Sequence, residues 1–419
     1  MKRTWTAALG LLIILAASRT AAFAAHQPAI ADGDAYAAKI DANIGGPNNL
    51  SAGPIAPASL ACDTRSATDQ NSVASITLEP IITSSGTASD MVTSTYGSSN
   101  VAVQSSSVIQ GVDVLSGVIT ATTVQAVANS GLTNGSASSN ASGSMFVGLT
   151  VGGQMISGTP APNTRIPLRG LGVVILNEEL MSRNRSVATG ITVNMIHVRI
   201  TQSNSFGLPI GASIIVGHAD SSIATPPVPV TVDASSYALL ATGLVGPGSA
   251  KSGPWAPARI PCTGGTAEDD LAQLTLTFAN LGTMVDTAMG QVSSSGSSAG
   301  AQSQVQNVNV LAGLIAADAV TSDASAALNG SASRSGSVTI VNGSIAGIPI
   351  SSSPAPNTMV NIANLGYVVL NEQHGSLGAH SAKIVVNAIH LVVTTNNTLG
   401  LPVGANVIIA NATAGVKRF

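Results

Sequence analysis

An ordered series of short phrases occurs twice in this 419-residue chain, and that repetition constrains the fold more than any other feature. Tyr36 is matched by Tyr237, Gly53-Pro54 by Gly253-Pro254, and Cys62 by Cys262. VDVLSGVITATTV from Val112 is matched by VNVLAGLIAADAV from Val308, and NGSAS from Asn134 by NGSAS from Asn329. PAPNT at Pro160 to Thr164 returns at Pro354 to Thr358, followed in each case by a phrase ending L-N-E, at Leu171 to Glu178 and Leu365 to Glu372. ITVNMIHV against IVVNAIHL and GLPIGASIIV against GLPVGANVII complete the series, with the offset drifting only from 201 to 193. A period of about 190 residues is that of a domain, not of a short solenoid repeat. The sequence therefore predicts two copies of one domain, at 33–222 and 231–413, joined by a stiff proline-rich linker at 223–230.

Within each copy the local pattern is β. VDVLSGVIT and SGSVTIVNGSIAGIPI alternate apolar and small polar residues, and VVILNE, ITVNMIHVRIT and IIVGH are short β-branched runs bounded by Gly, Pro or Asn. Many short strands with frequent turns must close two packed sheets, so the prediction is all-β: two tandem sandwich or jelly-roll-like domains of about ten strands each. Ala267 to Leu274 reads as a short helical stretch. In PAPNT each proline fixes its own φ and biases its predecessor toward extended geometry, while Asn-Thr can close a local turn. The phrase reads as a rigid lead into the following strand, with a binding loop as the alternative.

Composition agrees. Hydrophobic residues make up 45% of the chain, enough for a sizeable core, while only 8% are charged and the net charge is -3. So weak a field argues against nucleic acid as a partner. The N-terminal MKRTWTAALGLLIILAASRTAAFAA has two basic residues, a short apolar run and Ala22-Phe23-Ala24, the pattern of a secretory signal at 1–24. The expectation is an exported chain beginning near Ala25, secreted or held at a cell surface, with no transmembrane segment in its mature part. TAGVKRF at the C-terminus carries no hydrophobic tail.

The set NVLAGLIAADAVTS, GIPISSSPAPNT, NLGYVVLNEQ, IVVNAIHL and GLPVGANVII resembles the choice-of-anchor P family of bacterial secreted proteins, and the blocks cover most of the mature chain in both copies. The resemblance implies an extracellular β-rich module of unassigned activity, attached in different members by different C-terminal signals. This chain departs from that pattern after Ala414, where no anchor is recognisable, and in lacking cysteines at 317–322 and 217–221.

Candidate chemistry is sparse. Glu178 with His197, repeated as Glu372 with His390, supplies a carboxylate and an imidazole that could serve as base and orienter or as two metal ligands. Both histidines sit inside apolar runs, where a structural role is the commoner outcome, and no HExxH, GxSxG or phosphate loop lies nearby. Asn177-Glu178 and Asn371-Glu372 read as strand ends. Arg165, Arg169, Arg183, Arg185 and Arg199 crowd one copy and suit an acidic polymer or a solvated face, with Arg183 and Arg185 the sharpest candidates. His218-Ala219-Asp220 becomes Asn411-Ala412-Thr413 in the second copy, so a metal site common to both cannot use it. Aromatics at 3% disfavour a sugar-stacking lectin. Cys62 and Cys262 occupy matching places, and three states stay open: one intramolecular disulfide, two buried thiols, or bonds between chains.

These observations predict no cofactor and no catalytic motif. The expected function is a non-enzymatic, secreted cell-envelope or extracellular structural and adhesive protein with an unknown envelope partner. The alternatives are a secreted hydrolase or metal-binding protein centred on the Glu/His pairs, and a self-assembling surface layer or sheath that associates through sheet edges.

Overall fold

The structure, a computed structural model, describes residues 29–41, 52–78, 81–181, 187–224, 230–242, 251–276, 278–293, 295–399 and 401–419. The expected signal segment and Arg183 and Arg185 lie outside these residues. The described chain is all-β, with four antiparallel sheets. Residues 30–224 build a seven-stranded sheet facing a ten-stranded one, and residues 230–418 build a seven-stranded sheet facing a nine-stranded one. No described strand pairs from one half of the chain to the other.

The two seven-stranded sheets follow the same path. In the first, Thr164–Leu168, Gly172–Met181, Val187–Ile200, Ser213–Ala224 and Ile30–Asp41 lie side by side, with Ala52–Ile55 and Ala58–Asp63 at the far edge of Ile30–Asp41. In the second, Thr358–Ile362, Gly366–Gly378, Ser381–Val393, Asn406–Arg418 and Val230–Thr242 repeat that order, with Lys251–Trp255 and Ala258–Arg259 at the edge. Strands are more numerous than the sequence suggested, because two- and three-residue bridges decorate long central pairs whose strands reach 15 residues. Ile223, Ala224 and Val230 belong to strands, so those positions are not linker; 225–229 lie outside the described residues. The helical reading of 267–274 is overturned. Gly265–Leu271 alternates exposed and half-buried residues and pairs with Met284–Gln291, because period two rather than 3.6 matches its apolar positions.

A crease runs across each seven-stranded sheet. Leu176 faces Ile196 and Glu178 faces Asn194, which leaves Asn177 and Met195 out of register; the same skip leaves Gly217 and Ala37 on the next two strands. In the second half Asn371, Ala388, Ala410 and Ala238 form the matching line. Asn177 (φ 50), Gly217 (φ 71), Asn371 (φ 49) and Ala410 (φ 52) adopt the left-handed backbone that such a skip demands. At Gly217 a Cβ would meet Val124 Cγ1 at 2.9 Å and Met195 Cβ at 3.3 Å. The second half tolerates Ala410 there because Met195 is replaced by Ala388.

The crease explains why PAPNT and L-N-E occur together. Left-handed Asn177 cannot complete its ladder, and the PAPNT turn does so instead. The Asn163 amide donates to Asn177 O at 2.8 Å, Asn163 Oδ1 accepts from the Glu179 amide at 3.2 Å, and Asn177 Nδ2 donates to Pro160 O at 3.2 Å. Thr164 Oγ1 closes the turn on Ala161 O at 2.7 Å. Asn357, Gln373, Asn371, Pro354 and Thr358 repeat every contact, from 2.7 to 2.9 Å. Asn177-Glu178 and Asn371-Glu372 are thus strand interiors, not strand ends as the sequence suggested, because the strands resume beyond the skip to Met181 and Gly378.

Between the sheets the core of the second half is one continuous apolar cluster. The first half holds two clusters, and buried Ser105, Ser107, Ser130 and Ser221 lie among the polar groups of its interior. Ser130 Oγ bonds Ser221 Oγ at 2.9 Å across the sandwich, where the matching residues of the second half, Ala326 and Ala414, are apolar. Both halves bury one aspartate completely, Asp90 and Asp286. Neither carboxyl has a well-formed hydrogen bond among the described residues; Ser107 and the Ala37 backbone face Asp90, and Ser303 and Ser236 face Asp286. Burial dominates, raising Asp90 well above the carboxylate range and pushing Asp286 up to about 8, so both are held as neutral acids.

The halves meet where Ala52–Ile55 lies against Lys251–Trp255 and Ala58–Asp63 reaches Val230–Thr242. Cys62 and Cys262 form an intrachain disulfide with Cα atoms 5.3 Å apart, which resolves the three states the sequence left open. Beside it Arg259 Nη2 pairs with Asp32 Oδ1 at 2.8 Å, and Lys39 Nζ lies 3.8 Å from Asp269.

Candidate functional site

The crease sets the outward-facing residues of Val187–Ile200 at Thr192, Asn194, His197 and Arg199, a spacing of two, three and two. The middle interval turns His197 toward Glu178 on the neighbouring strand. Glu178 Oε2 lies 2.7 Å from His197 Nδ1 and accepts from Asn194 Nδ2 at 2.8 Å, while Arg199 Nη2 donates to Glu178 Oε1 at 3.4 Å. The far nitrogen of His197 is engaged by Ser213 Oγ at 3.0 Å. Burial pushes the Glu178 carboxyl up, but hydrogen bonds from His197 and Asn194 and the nearby cations hold it below its ordinary value. Glu178 is therefore ionised and His197 Nδ1 is the donor, which places the pair in a closed ionic knot rather than an open base and orienter.

The knot continues across the sheet. Asn194 Oδ1 accepts from His218 Nδ1 at 2.6 Å, and His218 Nε2 lies 3.2 Å from Asp34 Oδ2. Both ring nitrogens thus face oxygen atoms of neighbouring strands. Tyr36 stacks on that ring, centroids 4.2 Å apart at an interplanar angle of 9°. Burial raises Asp34, but the hydrogen bond and charge of His218 outweigh it and leave the carboxyl low. Directly across the ladder, Asp220 is pushed up to about 6, first by burial and then by the charge of Asp34, and Thr192 Oγ1 donates to Asp220 Oδ2 at 2.5 Å. Asp34, Tyr36, Asn194, Ser213 and Thr192 were not singled out from sequence as site residues. The signal was present as two period-two pairs, Asp34 with Tyr36 and His218 with Asp220, which make sense only once their strands are known to be neighbours.

The second half keeps the first part of this arrangement. Glu372 Oε2 lies 2.9 Å from His390 Nδ1 and accepts from Asn387 Nδ2 at 2.6 Å, and Asn406 Oδ1 meets His390 Nε2 at 3.2 Å. It lacks the extension, because Ser235, Asn411, Thr413 and Val392 stand where the first half has Asp34, His218, Asp220 and Arg199. Each Glu/His pair that the sequence matched is therefore brought together; the first is closed by neighbouring side chains, while Glu372 remains 24% exposed. Of the arginines, Arg199 is tied to Glu178, and Arg165 shares a cross-strand row with Ile175 and His197, while Arg169 sits exposed in the following turn. Among the described residues, the metal-ligating atoms that cluster in a group of three are Asp32 and the two disulfide sulfurs, and the bond between those sulfurs removes them as thiolate ligands.

A different surface is open in both halves. On the outer face of the ten-stranded sheet, Thr93, Gln104, Asn129 and Asn140 lie in one row across four strands, lining a shallow groove of about 410 Å³. On the nine-stranded sheet the matching row is Met289, Gly300, Ser325 and Ser335, in a groove of about 400 Å³ that also includes Gln302 and Asp323. Side-chain bonds brace both faces: Gln104 Nε2 to Asn129 Oδ1 at 2.7 Å, Gln302 Nε2 to Asp323 Oδ1 at 2.6 Å, and Ser325 to Ser335 at 2.8 Å. Such a surface offers hydroxyls and amides at the spacing of the strands and almost no charge.

No helix among the described residues is long and apolar enough to cross a membrane. No family model matches the chain, and no curated protein matches its sequence.

Proposed function

We propose that the protein is a secreted, non-enzymatic structural and adhesive component of a bacterial cell envelope or extracellular matrix. The observation that carries this reading is the pair of broad, charge-poor sheet faces, lined largely by hydroxyls and amides, one in each half of the chain. A face of this kind favours many weak polar contacts with a hydrated polymer surface over capture of one small molecule. The closed Glu178–His197 pair supports the same reading, since both carboxylate oxygens and both ring nitrogens are already engaged by neighbouring side chains. The leader-like N-terminus supports export. The resemblance to the choice-of-anchor P family points the same way and rests on the matched phrases alone.

The test has two parts. The full chain is expressed with its own N-terminus, and the culture is separated into cytoplasm, envelope and medium. Mature protein beginning near Ala25 in the envelope or medium is expected; uncut chain confined to the cytoplasm sinks the proposal. Beads coated with the protein are then measured for retention on isolated envelope material. Asn129→Lys with Ser325→Lys should reduce retention without unfolding the protein, whereas His197→Asn with His390→Asn should lower stability but not retention by the folded fraction.

A further inference from the structure

The disulfide joins two sulfurs in unlike surroundings. Cys62 is half-buried and lines a groove of about 400 Å³ between the halves, beside Thr64 and Arg65 from one half and Asp233, Lys383 and Lys417 from the other. Cys262 is buried, with its sulfur 3.2 Å from Asp32 Oδ2. A disulfide sulfur carries no hydrogen, so this contact is not a hydrogen bond in the oxidised protein. It becomes one when Cys262 is a thiol. Cys62 likewise lies 3.4 Å from Val232 O, an acceptor it can use only once reduced. The pocket is thus already laid out for the dithiol. Arg259 holds the other oxygen of Asp32 at 2.8 Å and fixes the carboxyl against the sulfur.

The geometry points to a thiol–disulfide exchange site at which an anionic low-molecular-weight thiol enters the inter-half groove, attacks Cys62 Sγ, and expels Cys262 toward Asp32. Three cations against one carboxylate give the groove a net positive charge in a chain that is otherwise charge-poor, which selects a carboxylate-bearing thiol over a neutral or cationic one. The groove volume admits a molecule of tripeptide size and no larger domain. In the first step the incoming thiolate forms a bond to Cys62 Sγ, the Cys62–Cys262 bond breaks, and its electron pair goes to Cys262 Sγ. That sulfur takes up a proton relayed from solvent through Asp32 Oδ2. A second thiolate then attacks the outer sulfur of the mixed disulfide, releasing Cys62 as a thiolate that solvent protonates. Two thiols are oxidised to one external disulfide while the protein disulfide is reduced to two thiols. Burial raises the Asp32 carboxyl despite the pull of Arg259, which favours its holding a proton. The consequence is a latch: opening it removes the one covalent tie between residues 230–418 and residues 30–224 apart from the chain itself. This inference is independent of the adhesive reading.

The experiment reduces the native full chain with glutathione, which is anionic, and with cysteamine, which is cationic, with rates corrected to equal thiolate concentration. At low ionic strength glutathione is expected to react roughly tenfold faster, an advantage that salt removes and that Lys383→Ser with Lys417→Ser abolishes. Mass spectrometry of the trapped intermediate should find glutathione on Cys62. Asp32→Asn should slow the first step by about a hundredfold or more if the carboxyl supplies the proton. Should that variant fold poorly, the thiol series and the adduct position in the native sequence still decide the matter. An adduct on Cys262, equal corrected rates for the two thiols, or reduction only as fast as the protein unfolds would overturn the proposal.

Discussion

Replacing Asp286 by Asn should make the protein more stable at neutral pH, and the gain should grow with pH. The carboxyl is fully buried, without a well-formed hydrogen bond, and pushed up to about 8. The folded protein therefore keeps a proton that the unfolded chain releases near its ordinary value of about 4. Between those two pH values the unfolded state binds fewer protons than the native state, so stability falls as pH rises; below about 4 both states hold the proton and the contribution is fully present. Each pH unit in that window is worth about 1.4 kcal/mol, so the native sequence loses about 4 kcal/mol between pH 4 and 7 through this one group. Asn has nearly the same shape and no proton to release. Urea unfolding followed by the fluorescence of Trp255, which is buried in the same half of the chain, should give equal stabilities near pH 4. The difference should widen to about 4 kcal/mol at pH 7 and level off above pH 8. Other carboxylates, including Glu178 and Asp34 with their lowered values, titrate alike in both proteins and cancel in the comparison. Parallel stability curves from pH 4 to 8 would refute the reasoning, because they would mean that Asp286 is hydrated and ionised in the folded state.

The other expectations concern packing, the ionic knots and the turn. Gly217→Ala should destabilise by about 1–3 kcal/mol through overpacking and Met195→Ala by about 2–5 kcal/mol through a cavity, yet the double variant, which reproduces Ala388 beside Ala410, should cost clearly less than the sum in a denaturation cycle. Glu178→Ala should cost about 3–5 kcal/mol because it strands a buried imidazole; Glu372→Ala should cost less, since its side chain is 24% exposed against 4% for Glu178. Calorimetry of the two variants side by side reads that order directly. Asn163→Ala removes the two side-chain contacts to the Glu179 backbone, Oδ1 accepting from its amide and Nδ2 donating to its carbonyl, and should cost about 1–3 kcal/mol, with amide exchange accelerating at Glu179 before the rest of the sheet.

Much of the architecture was legible because the chain writes it twice. Period-two alternation and turn residues identified β structure, and the pairing of Glu178 with His197 could be suspected because Glu372 and His390 repeat it. The crease was not legible. A skip in register is visible in sequence only as Asn194-x-x-His197 in place of a spacing of two, and that signal is meaningless until Gly217 and Ala37 are known to lie beside Met195. For the same reason L-N-E looked like a strand end: an Asn in left-handed geometry usually closes a turn, whereas here PAPNT supplies the missing hydrogen bonds and lets the strand continue. Asp90 and Asp286 were hidden by charge itself, since an isolated aspartate in a strand with polar residues beside it, Ser89 or Thr287, reads as exposed. Only the sheet packed over it shows otherwise.

The extension of the first-half knot through His218, Asp34 and Asp220 also bears on how the chain sorts its own strands. Because both creased sheets share one path and one skip, Ser213–Ala224 could in principle settle on Val230–Thr242, its neighbour in sequence, instead of on Ile30–Asp41. In that misassembled sheet His218 would face Tyr237, but Ser235 would stand in place of Asp34, and the ring would lose its carboxylate partner. The polar residues that distinguish the halves thus serve as an address, directing each strand to its own half during folding where the apolar pattern alone cannot tell them apart.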